Sequence, residues 1–465
     1  MNDVTFIILG ATGDLAQRKL FPALYRLLAK NKIEKFAIVA AALENDSVER
    51  IFEKAQKFIK NGNQNILARM HERMIYEPIN FNKENDFLRV AHLIEKIEKK
   101  FGLSGNRLVY LATASEFFCP ITMNLASSQI VVRKKDGEKP WNRIVYEKPF
   151  GQNAVSAQEI NQCIQGSFEE HQIYRIDHFL TKEIVSNIAL VRFANCVFEP
   201  LWNNRYIDQV QIILSEKLGI ENRGAYYDKY GALSDVVQNH MLELLALIAM
   251  ESPEKLTGNY IRSRRVEILK DIEVVDGILG QFERYNKEQH VSQSSKTETF
   301  AALLLRVNNP RWAGVPFYVK TGKCLKKKET IIHIKFKQVD CLLTHSCPVP
   351  SNWLSLEISP EATFVLTLNV KKPGRSENVV PVGMEFCHSC LFGPVTPEAY
   401  EVILEEVIHG EQSISVRFDE IEWAWRIIDT VRAMHLPLYS YQCGTSGPDE
   451  VETFFEKKHG MRWRS

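Results

Sequence analysis

Short apolar runs alternate with longer amphipathic stretches in the first half of the chain. The apolar runs predict strands at residues 4–9, 36–42, 108–112, 144–146 and 172–176. Apolar positions near helical spacing predict helices over 14–30 and 87–100. Because strands separated by helices form βαβ units, this half is predicted to be an α/β domain with a mostly parallel, doubly wound sheet.

The pattern changes after about residue 179. Residues 182–195 and 235–250 have helical character, and a strand is predicted between them at 210–214. Further extended segments are predicted at 300–307, 317–319, 330–336, 363–370 and 413–418. A strand-rich region of this kind predicts a second domain of the α+β class.

Composition narrows the class of protein. The chain has 465 residues, 45% hydrophobic and 25% charged, which is typical of a folded globular protein. Its 58 Lys and Arg nearly balance its 57 Asp and Glu, so neither a nucleic acid nor a membrane is an expected partner. Asp3 precedes the first apolar run, unlike the basic flank of a secretory signal. We therefore expect a cytoplasmic protein whose nine cysteines are reduced thiols.

The first candidate site is a glycine-containing turn between the first strand and the first helix. Its sequence is Gly10-Ala11-Thr12-Gly13-Asp14-Leu15. Glycine lets the backbone approach a phosphate, and the following helix N-terminus offers unpaired N–H groups and a positive dipole end. The third glycine of the full dinucleotide fingerprint is missing, so a tight turn without a ligand is the alternative.

Polar or glycine-rich motifs follow four of the predicted strands. They are Gly10, Ala112, the segment 147–151 (Glu-Lys-Pro-Phe-Gly) and the pair Asp177-His178. Open α/β sheets bind ligands beyond the carboxyl ends of their strands. We therefore expect these motifs to lie along one edge of the sheet.

The segment 175–183 has the highest density of chemical groups. His178 and Lys182 are four residues apart, so a helix beginning near His178 would place both on one face beside its positive end. That arrangement suits a dianionic phosphoryl group. The alternative is a surface Lys–His pair without a ligand.

A later segment, residues 232–240, opens another predicted helix. Asp235 is either a helix N-cap or a functional carboxylate, and His240 alone favours a hydrogen-bonded core histidine. If His240 is paired with Asp177, its tautomer is fixed and its other nitrogen is free to act as a base.

Six motifs, in order along the chain, resemble the glucose-6-phosphate dehydrogenase family. They are Gly-Ala-Thr-Gly-Asp-Leu at 10–15, Glu-Lys-Pro-Phe-Gly at 147–151, Arg-Ile-Asp-His-Phe-Leu-Thr-Lys-Glu at 175–183, Leu-Ser-Glu at 214–216, Gln-Asn-His at 238–240 and Val-Pro-Phe-Tyr-Val-Lys-Thr-Gly-Lys at 315–323. The resemblance implies a Rossmann-like dinucleotide-binding domain at 1–178. It also implies a larger β+α domain at 179–465, built on a broad antiparallel sheet, that binds substrate and forms homodimers or homotetramers.

The family's functional residues have matching positions in this chain. The resemblance implies a catalytic set with His240 as general base, Asp177 as its partner and Lys148 between substrate and nicotinamide. The implied sugar-phosphate ligands are His178, Lys182, Glu216, Asp235 and Lys323. The implied cofactor-binding residues are Gly10, Thr12, Gly13, Asp14, Leu15, Ala112 and Lys148.

The implied reaction is oxidation of D-glucose 6-phosphate to 6-phospho-D-glucono-1,5-lactone, the first oxidative step of the pentose phosphate pathway. A base removes the proton from O1 while hydride leaves C1 for the nicotinamide ring, so no metal is required. The expected cofactor is NADP, with NAD as the alternative.

Three departures from the family pattern affect these expectations. Phe179 replaces the usual Tyr, and Ala114-Ser115 replaces a usual Pro. The most important departure is at Leu43-Glu44, where the family usually has an Arg that grips the 2′-phosphate of NADP. Glu44 would repel a phosphate but can accept a hydrogen bond from a ribose 2′-hydroxyl, so we expect weak discrimination between NADP and NAD. The alternative sources of positive charge are Arg18, Lys19 and Arg50.

Two Cys/His clusters are weak candidates for zinc. Neither Cys341…His345…Cys347 nor Cys387-His388-Ser389-Cys390 matches a standard ligand spacing as a set. We therefore expect no metal site.

The sequence leaves two alternative functions, and particular residues weigh against each of them. Another nicotinamide-dependent sugar oxidoreductase would have no need of a phosphate pair such as His178 and Lys182. A metabolite sensor that has lost turnover would have no need of Asp177, His240 and Lys148 together.

Overall fold

The computed structural model describes residues 3–339, 349–374, 379–387, 390–391, 393 and 397–464. The chain divides into two compact units. The first comprises residues 1–181, 257–262 and 397–422, and the second comprises 182–256, 263–396 and 423–465. Each unit therefore combines segments that are far apart in the sequence.

A six-stranded sheet in the order β3-β2-β1-β4-β5-β6 forms the centre of the first unit. Its strands are β1 (Asp3–Leu9), β2 (Lys35–Ala42), β3 (Met74–Pro78), β4 (Arg107–Leu111), β5 (Asn142–Tyr146) and β6 (Ile173–Arg175). Every neighbouring pair is parallel. The predicted doubly wound sheet is confirmed, and the order in which the strands are added reverses between β1 and β4. The apolar pattern missed β3 because most of this strand is only half-buried.

Helices follow most of these strands. The helix predicted over 14–30 contains a π-helical stretch, Ala16–Leu20, followed by Phe21–Ala29, and the helix predicted over 87–100 spans Glu84–Phe101. The other α-helices of the described residues are Val48–Gln56, Gln64–Glu72, Phe118–Ser127, Ala154–Ser167, Glu183–Phe193, Gly224–Ala232, Leu242–Ala249, Gly258–Asp271, Ala399–His409, Phe418–Ala433 and Glu450–His459. A second π-helical stretch spans Leu233–Met241. None of the described helices is long and apolar enough to cross a lipid bilayer.

A nine-stranded sheet in the order β14-β13-β12-β11-β7-β10-β9-β8-β15 forms the centre of the second unit. Its strands are β7 (Ile207–Ser215), β8 (Ile272–Phe282), β9 (Phe300–Val307), β10 (Pro316–Gly322), β11 (Glu329–Phe336), β12 (Trp353–Ser359), β13 (Thr363–Lys371), β14 (Val379–Cys387) and β15 (Leu438–Tyr441). Two pairs, β7 with β10 and β8 with β15, are parallel. The remaining pairs are antiparallel. The sheet is therefore broad and mainly antiparallel, as predicted.

The strand predicted at 413–418 is wrong. Only Ser415 forms a β-bridge, with Ile176, and the helix Phe418–Ala433 begins where the strand was expected to end. Ser415 Oγ accepts the N–H of Arg175, and the N–H of Val416 donates to the carbonyl of Arg175. The apolar alternation there reflects burial, because Ile414 belongs to the same core cluster as Ile176 at the end of β6.

The expectation of reduced thiols is also wrong for four cysteines. Cys324 is paired with Cys443, and Cys387 with Cys390, as disulfides. An odd total leaves at least one thiol, but it does not prevent the others from pairing. The thiols of Cys119, Cys163 and Cys196 are free.

Candidate active site

The turn after β1 is shaped by glycine. Gly10 has a φ of +87°, and a Cβ on it would lie 2.4 Å from the carbonyl oxygen of Ala112. Its N–H donates to Ala41 O at 2.8 Å, and Gly13 N–H closes the turn on Gly10 O at 3.0 Å. Since a side chain at residue 10 would push β1 away from the residue after β4, only glycine fits at this switch point. This geometry fits the close backbone approach that a dinucleotide pyrophosphate needs.

Four predicted motifs share one edge of the six-stranded sheet. β1, β4, β5 and β6 are parallel neighbours, so their carboxyl ends lie on the same side. Gly10, Ala112, the segment 147–151 and Asp177 each follow one of these ends. The predicted convergence is therefore present, with exposed Asp14 and half-buried Leu15 opening the helix after the turn.

The residue after Leu43 faces the glycine turn. Thr12 Oγ1 donates to Glu44 Oε2 at 2.6 Å, and Tyr76 Oη donates to the backbone carbonyl of Glu44. Burial, followed by the charges of Glu44 and Asp46, raises the pKa of Tyr76 to about 12. The surroundings of this turn are therefore acidic, which favours a ribose hydroxyl over a phosphate.

Two of the basic residues considered as replacements for the missing Arg have acidic partners. Arg18 pairs with Asp14 at 3.4 Å and lies over the ring of Phe58. Lys19 pairs with Glu398 at 3.6 Å. Reaching a 2′-phosphate would require Arg18 or Lys19 to leave these partners.

A buried carboxylate lies directly before Lys148. Glu147, at the end of β5, accepts hydrogen bonds from the hydroxyls of Tyr110 and Tyr400. Burial raises the pKa of Glu147, while the Tyr110 hydrogen bond and the Lys148 charge oppose the rise. These contacts fix the backbone from which half-buried Lys148 extends.

The segment 177–181 forms a turn, so the condition that would place His178 and Lys182 on one helix face is not met. The buried carboxylate of Asp177 accepts the N–H of Phe179 at 2.9 Å, and Leu180 N–H donates to Asp177 O. The helix predicted over 182–195 is confirmed as Glu183–Phe193, with Lys182 as its N-cap. His178 and Lys182 therefore do not share a helix face, because the Asp177 side chain competes for the first backbone N–H groups.

Three of the predicted substrate residues meet in the second unit. Lys323, directly after β10, donates to Glu216 Oε2 and lies 3.7 Å from Asp235 Oδ2. Its ammonium lies 5.3 Å from the ring centre of Tyr227, a favourable cation–π distance. Lys323 and Asp235 are buried, whereas Glu216 is one-third exposed. This cluster offers a cation and two carboxylates to a polyhydroxylated anion.

Asp235 and His240 lie on one π-helical stretch, Leu233–Met241. The N-cap is Ala232, so the N-cap alternative for Asp235 is wrong. Asp235 Oδ1 instead accepts from Tyr226 Oη at 3.4 Å. His240 is buried, and its backbone N–H donates to Asn239 Oδ1 at 2.7 Å.

The sequence analysis missed two tyrosines that lie beside this cluster. Tyr226 and Tyr227 lie in the helix Gly224–Ala232, and burial raises the pKa of both hydroxyls. Nearby Asp235 raises both pKa values further. A useful signal would have been the adjacency of two tyrosines shortly before the Asp235 segment.

One zinc candidate lies wholly outside the described residues, and the other lies partly outside them. Cys341, His345 and Cys347 lie outside the described residues, as do His388 and Ser389. Cys387 and Cys390 are joined to each other.

The glycine turn at the switch point of a doubly wound sheet and the acidic–basic cluster of the second unit define a class of protein. Together with the matches that follow, these features identify a nicotinamide-dependent oxidoreductase acting on a CH–OH group. Family models for "Glucose-6-phosphate dehydrogenase, NAD binding domain" and "Glucose-6-phosphate dehydrogenase, C-terminal domain" match residues 7–187 and 189–464. The chain belongs to the glucose-6-phosphate dehydrogenase family.

Individual relatives align over almost the whole chain. Glucose-6-phosphate 1-dehydrogenase of Bacillus subtilis (strain 168) is 37% identical over 481 residues, covering 98% of this chain and 97% of that protein. The enzyme of Chlamydia muridarum (strain MoPn / Nigg) is 36% identical over 488 residues, covering 99% and 96%. A solved glucose-6-phosphate dehydrogenase in complex with glucose 6-phosphate superposes with a TM-score of 0.91 at 29% identity, covering 100% of this chain and 99% of that one.

Proposed function

We propose that this protein oxidises D-glucose 6-phosphate at C1, with NADP or NAD as the hydride acceptor, and releases the 6-phospho-lactone. The observation that carries the proposal is the cluster of Lys323 with Glu216 and Asp235. These side chains come from three separate segments, and each matches a family substrate-binding position. Their ion pairs hold a cation and two carboxylates together, a set that suits a phosphorylated, polyhydroxylated substrate.

In the proposed mechanism His240 acts as general base and takes the proton from O1 of the sugar. Asp177 holds the imidazole in the required tautomer and stabilises the imidazolium that forms. The nicotinamide ring, when bound, accepts the hydride from C1. Lys148 orients the substrate toward that ring.

The substrate's other groups are assigned to the remaining residues. His178, Lys182 and Lys323 bind the phosphoryl group as cations, which suits a dianion. Glu216 and Asp235 accept hydrogen bonds from sugar hydroxyls. Gly10, Thr12, Gly13, Asp14, Leu15 and Ala112 are proposed to hold the dinucleotide, as they form or adjoin the turn after β1.

A crossed steady-state assay tests the proposed function. Reduction of NADP and of NAD is followed with glucose 6-phosphate and with glucose, and product is identified as lactone. We expect turnover with the phosphorylated sugar and little with glucose. Equal use of both sugars would favour a neutral-sugar oxidoreductase, and no reduction of either cofactor would favour the sensor.

We further propose that the protein works in the cytoplasm as a homodimer or homotetramer joined through the nine-stranded sheet. Val382, Met384 and Phe386 alternate along β14, so they project from one face, and all three are exposed. Exposed apolar side chains in a row are typical of an interface. Light scattering should give a mass above that of one 53.5-kDa chain, and Met384→Asp should reduce it.

We also propose residues 1–178 as the cofactor-binding domain and 179–465 as the substrate-binding domain. The dinucleotide turn lies in the first range, and the Lys323 cluster lies in the second. The first compact unit also includes residues 257–262 and 397–422, so the division is tested on the full chain. A substitution in the glycine turn should weaken cofactor binding, whereas one at Lys323 should weaken sugar binding.

A further inference from the structure

A carboxylate outside the proposed catalytic set lies at the start of the segment that carries Asp235 and His240. The N–H of Leu233, the first residue of this segment, donates to Glu298 Oε1 at 3.0 Å. The N–H of Ala232 donates to the backbone carbonyl of Glu298 at 2.9 Å. Glu298 therefore accepts two N–H groups at a helix start, where such groups have no partner within the helix.

The chain makes room for this carboxylate. Gly231 lies directly before Ala232 and has φ of +66° and ψ of 179°. A Cβ at Gly231 would lie 2.3 Å from Glu298 Oε1. The kink at Gly231 and the approach of Glu298 therefore depend on each other.

The next residue, Thr299, lies directly before β9 and contacts the other side of the cluster. Thr299 O accepts the N–H of Lys323 at 2.9 Å. Tyr441 Oη donates to Lys323 O at 2.7 Å and lies 2.9 Å from Thr299 Oγ1. Glu298 and Thr299 thus connect the segment bearing Asp235 to the residue Lys323, and the charged groups of these two residues are 3.7 Å apart.

A second side chain, Arg432, holds the same segment start. Burial raises the pKa of Glu298, while the Leu233 N–H and the charge of Arg432 lower it. Arg432 also donates to Ser234 Oγ at 2.7 Å, on the residue after Leu233. The start of the segment is therefore held by an acceptor, Glu298 Oε1, and by a donor, Arg432.

We propose that Glu298 is a positioning residue that sets Asp235 and His240 relative to Lys323 through the N–H of Leu233, without itself touching the substrate. The inference rests on the proposed function. In this proposal the length of the side chain matters more than its charge. A side-chain oxygen at residue 298 must be long enough to accept the N–H of Leu233, whether or not it is charged.

Three variants separate reach from charge. Glu298→Gln keeps the acceptor at the same reach and loses the charge, whereas Glu298→Asp keeps the charge and is one methylene too short. Glu298→Ala loses both. Glu283→Ala, at an exposed glutamate of the same unit, is the matched control. For each variant kcat and both KM values are measured, with thermal unfolding and titrated active sites as checks on folding.

We expect kcat/KM for glucose 6-phosphate to be highest in wild type, slightly lower in Glu298→Gln and lowest in Glu298→Asp and Glu298→Ala. Gln should stay within about threefold of wild type, since an acceptor bond is kept. Asp and Ala should lower kcat/KM for glucose 6-phosphate by roughly 10–100-fold, because small displacements of reacting groups are costly. Both kcat and the sugar KM should change, while the cofactor KM stays within about twofold.

Three results would overturn the inference. In the first, Asp matches wild type while Gln matches Ala, so that charge matters and reach does not. In the second, Ala equals the Glu283→Ala control. In the third, Ala only reduces the number of active sites and leaves the sugar KM unchanged, as a purely structural residue would. If Ala does not fold, the Gln and Asp comparison decides. Wild-type protein that fails on glucose 6-phosphate refutes the proposed function itself, a result distinct from these.

Discussion

Replacing Glu44 with Gln should move cofactor use toward NADP. The Glu44 carboxylate contacts Thr12 in the glycine turn at 2.6 Å, and the backbone of Glu44 contacts Tyr76. The neighbouring Leu43 is half exposed and offers no charge to a phosphate. A 2′-phosphate would enter this acidic surface as a dianion, whereas a 2′-hydroxyl can donate to Glu44.

The magnitude follows from Coulomb's law. A dianion about 5 Å from an exposed carboxylate is repelled by roughly 1.5–2 kcal/mol in water-like dielectric. Salt at physiological strength screens part of this repulsion. Since about 1.4 kcal/mol corresponds to tenfold, Glu44→Gln should raise kcat/KM for NADP relative to NAD by about tenfold. Leu43→Arg should raise the ratio further, because a guanidinium pairs well with phosphate.

The assay compares kcat/KM for NADP and NAD in wild type, Glu44→Gln and Leu43→Arg. Fluorescence titration with the reduced cofactors gives their affinities independently of turnover. Glu34→Gln is the matched control, since Glu34 is exposed before β2 at the amino end of the strand. A wild-type preference for NADP above about a hundredfold, or roughly 2.7 kcal/mol, would refute the reasoning. It would mean that Arg18, Lys19 or Arg50 supplies the missing charge.

Three further predictions concern other residues. His240→Asn should lower kcat by roughly 10²–10⁴-fold with little change in substrate binding. The control His92→Asn, on an exposed helix surface, should leave kcat unchanged. Near-normal turnover in His240→Asn would exclude His240 as the base. Lys182→Ala should impair use of glucose 6-phosphate far more than any weak use of glucose, and equal losses would make Lys182 structural. Burial lowers the pKa of His333, which contacts Ser355, to about 3, so the unfolded chain binds the extra proton first as pH falls below about 6.5. The contribution of His333 to stability should therefore be complete above that pH and fall by about 2 kcal/mol by pH 5. Denaturant unfolding at both pH values should show that His333→Asn loses less free energy of unfolding than wild type between pH 6.5 and pH 5. The same pH dependence in both proteins would contradict the lowered pKa of His333.

Much of the sheet edge that carries the site could be predicted from sequence. β1, β4 and β5 are short apolar runs, and apolar runs of that length between helices define a parallel sheet. Gly10 could be placed at the switch point because its neighbours change from strand to helix period. Local pattern and global fold agree there, so the prediction holds.

The errors arise where side chains, and not periodicity, decide the backbone. The turn at 177–181 depends on the Asp177 carboxylate accepting a backbone N–H, which removes the helix face that His178 and Lys182 would have shared. The bridge at Ser415 depends on an edge supplied by β6, far away in sequence. The pairing of Cys324 with Cys443 likewise requires two distant loops to meet.

The cluster around Lys323 was only partly predictable. Glu216, Asp235 and Lys323 come from the family resemblance, since no spacing along the chain links them. Tyr227 and Glu298 carry no motif of their own, and their importance lies in three-dimensional contacts alone. Such residues are visible only once the strands bring the segments together.

Transfer of deuterium from C1 tests the central claim most directly. Glucose 6-phosphate deuterated at C1 is incubated with the enzyme and NAD or NADP, and the reduced cofactor is examined by mass spectrometry and NMR. The account predicts that the reduced cofactor carries one deuterium at C4 of the nicotinamide and that the sugar product is the 6-phospho-lactone. A cofactor that stays undeuterated, or a product oxidised at another carbon, would contradict it.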